Sequence, residues 1–232
     1  MSYSYQIDFI NTHRKYNAAF VEEFINKVLT DLMPEERRKA ARELLTEIAK
    51  KKSYLEKDAH YGTYVDSKEI FSCIGWKKGQ NPEFYTSIDE IISMRKPELV
   101  KLLVERTVKA YDFLHPEFGY GDEELGVQCA RIEANVFGLE MWQMLHWINF
   151  YGPKLVKKIG EKKLLNAPVG EAKKLSDGGI MLMAQPLPWY ADDQELTPTE
   201  AIAVIKQYLG LWLTNEDEEK SLEAYLKRTK KP

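Results

Sequence analysis

Met141-Trp142-Gln143-Met144-Leu145-His146-Trp147-Ile148-Asn149-Phe150-Tyr151-Gly152-Pro153-Lys154-Leu155-Val156 is the stretch on which the fold turns. From Met141 to Tyr151 apolar and aromatic residues run almost without a break, the pattern of a strand sealed on one or both faces. Gly152-Pro153 ends it. Proline suits a first helical position, because its φ is already helical and its missing N–H would have had no intrahelical partner. The helix that follows turns Leu155, Val156, Ile159, Leu164 and Leu165 inward and stops before Pro168. Asp177-Gly178-Gly179 then separates a polar stretch, 170–175, from an apolar one, 180–184. Asp-Gly supplies the positive φ angles of a tight turn, so a hairpin is expected. Buried strand, helix and hairpin in this order predict an α+β fold, a mostly antiparallel sheet packed against several amphipathic helices.

Upstream, Tyr3, Tyr5, Ile7 and Phe9 alternate with polar residues and predict an opening strand. Phe20, Phe24, Val28 and Leu32 recur every four residues, which makes the next segment helical. Pro34 starts a second helix over 34–52, with acids leading and lysines closing in the order that the helix dipole favours. Residues 61–76 read as one or two short strands, 77–82 as a turn, and 87–93 as a short helix capped by Ser87. Pro97 opens a helix that ends near His115-Pro116. Residues 118–126 form a Gly- and acid-rich loop, and 127–137 contain alternating stretches. Downstream, Thr197-Pro198-Thr199-Glu200 is a capping box, Ile202, Ile205, Leu209 and Trp212 continue its stripe, and 215–231 make a charged helix. Both end segments of the chain are thus helical. Without a repeat or long linker, one globular domain over 1–232 is the economical division. The alternative is a helical subdomain over 10–78 hinged near Gly79.

The 232 residues are 44% hydrophobic and 30% charged, an ordinary soluble balance. Net charge is −3, and the one dense basic run, Lys227 to Lys231, sits at the C-terminus, so nothing calls for nucleic acid. The first residues lack the basic and apolar regions of a signal peptide, and no apolar run approaches the roughly 20 residues of a membrane span. Cys73 and Cys129 stand apart without CxxC spacing, as in a reducing compartment. A cytoplasmic protein that engages no membrane is expected.

Chemistry is sparse. His13, His60, His115 and His146 show no spacing that would aim two imidazoles at one metal ion. No phosphate loop occurs, and the GxG of Gly119 and Gly121 lacks a strand-then-helix setting. There is no GxSxG elbow, and neither cysteine has a neighbouring His. The expectation is a binding protein without catalytic residues, metal or cofactor. Two candidate surfaces mix rings with acids: Phe118, Tyr120, Asp122, Glu123 and Glu124, then Trp189, Tyr190, Asp192 and Asp193. Such pairing resembles interface anchors within a polar rim, and its acidity would suit a basic partner such as a nuclease.

The stretch His146–Gly160, with Lys163-Leu164-Leu165-Asn166-Ala167-Pro168 and Asp177-Gly178-Gly179-Ile180-Met181-Leu182, resembles the immunity protein 52 family and related polymorphic-toxin and type VI secretion immunity proteins. Leu114-His115-Pro116-Glu117-Phe118-Gly119 is similar to the loop preceding that block, so the resemblance spans roughly 97–190. It implies a non-enzymatic protein that binds a cognate, co-encoded toxin and blocks its active site or activation. The shared positions shape the backbone, and none is carried over as a functional residue. The residues leave two rival readings open: a small cytosolic enzyme or ligand-binding domain with dispersed site residues, and a phage or host interaction adaptor.

Overall fold

The computed structural model describes residues 4–12, 18–29, 39, 43, 59–65, 70–76, 83–123, 129, 132, 134–136, 138–189, 196–213 and 216–229. The chain divides into two compact units, Met1–Glu117 and Phe118–Pro232. Each unit is α+β.

In the first unit β1 (Ser4–Thr12), β2 (Ala59–Val65), β3 (Ile70–Trp76) and β4 (Glu83–Asp89) pair antiparallel in the order β2-β3-β4-β1. The opening alternation holds: Tyr5, Ile7 and Phe9 are buried. Residues 61–76 make a hairpin of two strands, so the segment 10–78 is not wholly helical. Ser87 lies opposite Gln6 within the ladder, and the cap of α2 (Glu90–Arg95) is Asp89 instead, whose carboxylate accepts the Ile92 N–H at 3.1 Å. Asp is the better cap because its negative charge also meets the positive end of the helix. α1 (Ala18–Phe24) continues as a π-helix over Ile25–Leu29, and α3 spans Glu98–Leu114. His115 ends α3 in the left-handed region, at φ 47°. The expected helix 34–52 lies outside the described residues, apart from the helical Lys39 and Glu43, as does the turn 77–82.

Aromatic rings hold this unit together. Phe9 lies 5.7 Å from Phe84 and 6.0 Å from Tyr111, while Phe24 meets Phe84 at 5.9 Å and Phe113 at 5.8 Å. Phe20 completes the cluster 5.3 Å from Phe113. Tilted and edge-on pairs at these separations each add about 0.5–1.5 kcal/mol beyond their burial.

In the second unit β5 (Pro116–Glu123), β6 (Ile148–Tyr151), β7 (Glu171–Lys174) and β8 (Ile180–Met183) run in the order β5-β6-β8-β7, all neighbours antiparallel. The expected loop 118–126 is therefore a strand as far as Glu123. Its glycines read as a loop, but Gly119 and Gly121 pair with Phe150 and Ile148, where a missing side chain makes room for a large neighbour. The aromatic run 141–151 is likewise not one strand. Met141–Gln143 form a 3-10 turn with a Glu140–Gln143 capping box, and the strand begins at Ile148. Within 127–137, Cys129, Ile132 and Ala134 to Val136 have helical backbone rather than alternation.

Gly160, at φ 109°, divides the helix expected after Pro153 into α4 (Pro153–Ile159) and α5 (Glu161–Leu165). The hairpin between β7 and β8 forms as its sequence dictates: Gly178 takes φ 91°, and the Asp177 carboxylate accepts the Gly179 N–H at 2.8 Å. The Thr197–Glu200 capping box opens α6 (Pro198–Leu209), which packs Ala203 and Val204 against Leu222 of α7 (Glu216–Thr229). A buried ion pair, Lys206 to Glu218 at 2.6 Å, joins the two helices, and Arg228 donates to Glu200 at 2.8 Å. Arg228 of the basic terminal run thus holds a carboxylate. No helix among the described residues is long and apolar enough to cross a membrane.

Phe24→Ala should cost about 3–5 kcal/mol in urea unfolding, since a cavity opens where rings now touch. Burial opposes ionisation of Glu200, but the Thr197 N–H and the Arg228 guanidinium outweigh it and hold the carboxyl below the ordinary 4.5. A depressed folded pKa gives stability that is complete above the unfolded value and lost as pH falls through the folded one. Thermal melts from neutral pH into acid should therefore show a loss below about pH 4.5 that Glu200→Gln blunts.

Candidate functional site

The first candidate group divides between core and surface. Phe118 and Tyr120 stack at 5.7 Å and are 4% and 0% exposed, so both rings lie in the core of the second unit. They alternate onto one face of β5, where Tyr151 and His146 meet them at 5.6 and 4.9 Å. Asp122 and Glu123 are half-buried, and Glu124 lies outside the described residues. Asp122 has a specific partner, the His146 Nδ1 at 3.3 Å from its Oδ2. The Nε2 of His146 is buried with no hydrogen-bond partner among the described residues.

His146 is positioned by Asn149. The His146 N–H donates to the Asn149 Oδ1 at 3.1 Å, and the Asn149 amide donates back to the His146 carbonyl at 2.8 Å. This reciprocal pair closes the turn that feeds β6. Trp147, 1% exposed, donates its indole N–H to the Gln185 carbonyl at 2.9 Å and so ties the turn to the segment after β8. Gly170 packs so closely there that a Cβ would stand 2.8 Å from the Gln185 Cα. Trp189 of the second candidate group is half-buried at the end of this segment, its carbonyl accepting from the Gln185 amide at 3.5 Å. Tyr190, Asp192 and Asp193 lie outside the described residues.

A different surface is better formed. A cleft of 280 Å³ opens between the 3-10 turn, which supplies Trp142 and Gln143, the α4–α5 junction, which supplies Lys158 and Lys163, and the Leu209–Leu211 end of α6. Lys158 sits 4.9 Å from the centre of the Trp142 ring, near enough for a cation–π contact, and 2.6 Å from Glu140. Hydrogen bonds from Lys158, and next from the Trp142 indole, hold the Glu140 carboxyl below its ordinary range. Lys163 donates to the Leu209 carbonyl at 2.7 Å, neutralising the negative end of α6. Tyr151 also lines the cleft; burial pushes its phenol up, so the ring stays neutral.

Beside the cleft stand Tyr208 and Trp212, 41% and 54% exposed. Trp212 was expected to continue the inward stripe of α6. The helix ends at Leu209 instead, and Gly210 at φ 69° turns the chain away, leaving the indole outside. Glycine followed by a short apolar run was the available signal. The arrangement offers exposed rings, two ammonium groups and a concave floor, which is recognition chemistry. Among the described residues, no group of at least three His, Cys, Asp or Glu side chains is placed to hold a metal ion.

Asn149→Ala leaves the buried His146 N–H and carbonyl unpaired and should cost about 1–3 kcal/mol in urea unfolding. Trp212→Ala, at a site 54% exposed, should lower the unfolding midpoint less than Asn149→Ala does.

No family model matches the chain, and no curated protein matches it. Among solved structures it is similar to a Pseudomonas aeruginosa T6SS protein, with 11% sequence identity and a TM-score of 0.51. The alignment covers 96% of this chain and 81% of that one. At this identity the likeness is one of fold.

Proposed function

We propose that the chain is a cytoplasmic, type VI secretion-associated immunity protein that neutralises a co-encoded toxin by binding and covering it. The observation that carries this reading is the fold likeness to a T6SS protein across 96% of the chain. Its support beyond fold is the second unit's surface, where Tyr208 and Trp212 stand exposed beside a cleft that rings and lysines line. Tryptophan and tyrosine that project from a rigid frame supply much of the binding energy in protein interfaces. Occlusion asks no bond-making of the protein, only shape and charge matched to one partner. The partner is a protein; neither nucleic acid, membrane nor cofactor is part of the proposal.

Co-expression with the toxin encoded beside this gene tests the reading. Cells carrying both should grow, and the two proteins should purify together. Trp212→Ala should weaken the purified complex by about 2 kcal/mol, on the order of thirtyfold in Kd. Cells that die with both genes expressed, and proteins that elute apart, would refute it.

A further inference from the structure

The second unit carries a lysine face that its sequence neighbours do not neutralise. Between Pro153 and Lys174 there are seven lysines and two glutamates, in a chain whose net charge is −3. Apolar Leu155, Val156 and Leu164 turn inward, which leaves the lysines of α4, α5 and β7 on the outside, all of them exposed. Two are engaged by carboxylates, Lys158 with Glu140 and Lys174 with Glu161 at 2.7 Å. Lys154, Lys157, Lys162 and Lys173 have no ion pair among the described residues. Lys158 of α4 and Lys163 of α5 line one cleft, and the Glu161 bridge turns Lys174 of β7 toward α5, while Lys173, one residue earlier on that strand, points to the other side of the sheet.

We infer that this face is an interaction surface for a carboxylate-rich segment of a protein partner, with one acidic side chain seated in the cleft between Lys158 and Lys163. Lys163 uses one of its three N–H groups on the Leu209 carbonyl, so two remain for a carboxylate. Charge decides the partner's sign, and residue type decides its class. No arginine occurs between Pro153 and Lys174, so the planar fork that grips phosphates in pairs is absent. That favours protein carboxylates over a nucleic-acid backbone. The proposal inverts the acidic surface expected from Asp122, Glu123 and Glu124, and it concerns the face itself rather than the identity of the protein that meets it.

The test titrates the full chain, observed by amide NMR at low salt, with a blocked peptide of repeated Glu-Asp-Ala, and separately with RNA and DNA oligomers of matched charge. The expected result is peptide binding with shifts confined to 142–163, 173–174 and 209–211. Lys157→Glu combined with Lys162→Glu should weaken it about tenfold or more, while Lys101→Glu in the first unit leaves it unchanged. The reversed positions are exposed and without described partners, and matching melting curves establish that the variant folds. Should it not fold, Lys154→Gln with Lys157→Gln, expected to weaken binding severalfold, makes the same comparison. Absent peptide binding, equal binding by the charge variants, or tighter binding of either oligomer overturns the proposal.

Discussion

Complete burial of β6 and β8 governs the second unit. Ile148 to Tyr151 and Ile180 to Met183 are buried at every position, so both faces of these paired strands need an apolar cover. Full burial of an aliphatic or aromatic side chain contributes about 1.5–3 kcal/mol, and this pairing concentrates seven such positions beside the polar Asn149. Asn149 is tolerated because both ends of its amide are bonded to the His146 backbone. The cover follows at once in sequence: Gly152-Pro153 turns the chain into α4, and Leu155, Val156 and Leu164 face inward. Once that apolar side is committed, the lysines between these positions have only the outside left.

The candidate surface is a consequence of the same packing. Lys163 reaches the last carbonyl of α6, a bond across 46 residues that places the end of one helix beside the start of another. Gly210 then reverses the chain and puts Leu211 on the wall of the cleft and Trp212 in solvent. The exposed ring and the basic face therefore belong to one construction. Long-range charge on such a face raises the rate of encounter with an oppositely charged partner, and nearby rings hold it after contact.

Features encoded within one turn of chain were legible beforehand. The Thr197–Glu200 capping box, the Asp177–Gly179 hairpin, the Pro153 helix start and the alternation of Tyr5, Ile7 and Phe9 all depend on neighbours a few residues apart. Where the deciding partner was distant, reading failed. Gly119 and Gly121 look like loop residues until Phe150 and Ile148 are seen opposite them. Asp89 outcompetes Ser87 as a cap only because the pairing of β4 with β1 extends the strand that far. The rings of Phe118 and Tyr120 seemed available beside acids, yet alternation along β5 sends both inward. The cleft joins residues 142 to 211, a set that no local pattern could assemble.

The central claim is that the second unit's cleft and its aromatic rim are where a protein partner docks. Hydrogen exchange of the purified chain with and without its proposed protein partner reads this directly. The account predicts slowed exchange over 140–163 and 208–213, with the strands of the first unit unchanged. Slowing confined to β1–β4, or to the segment around Trp189, would contradict it.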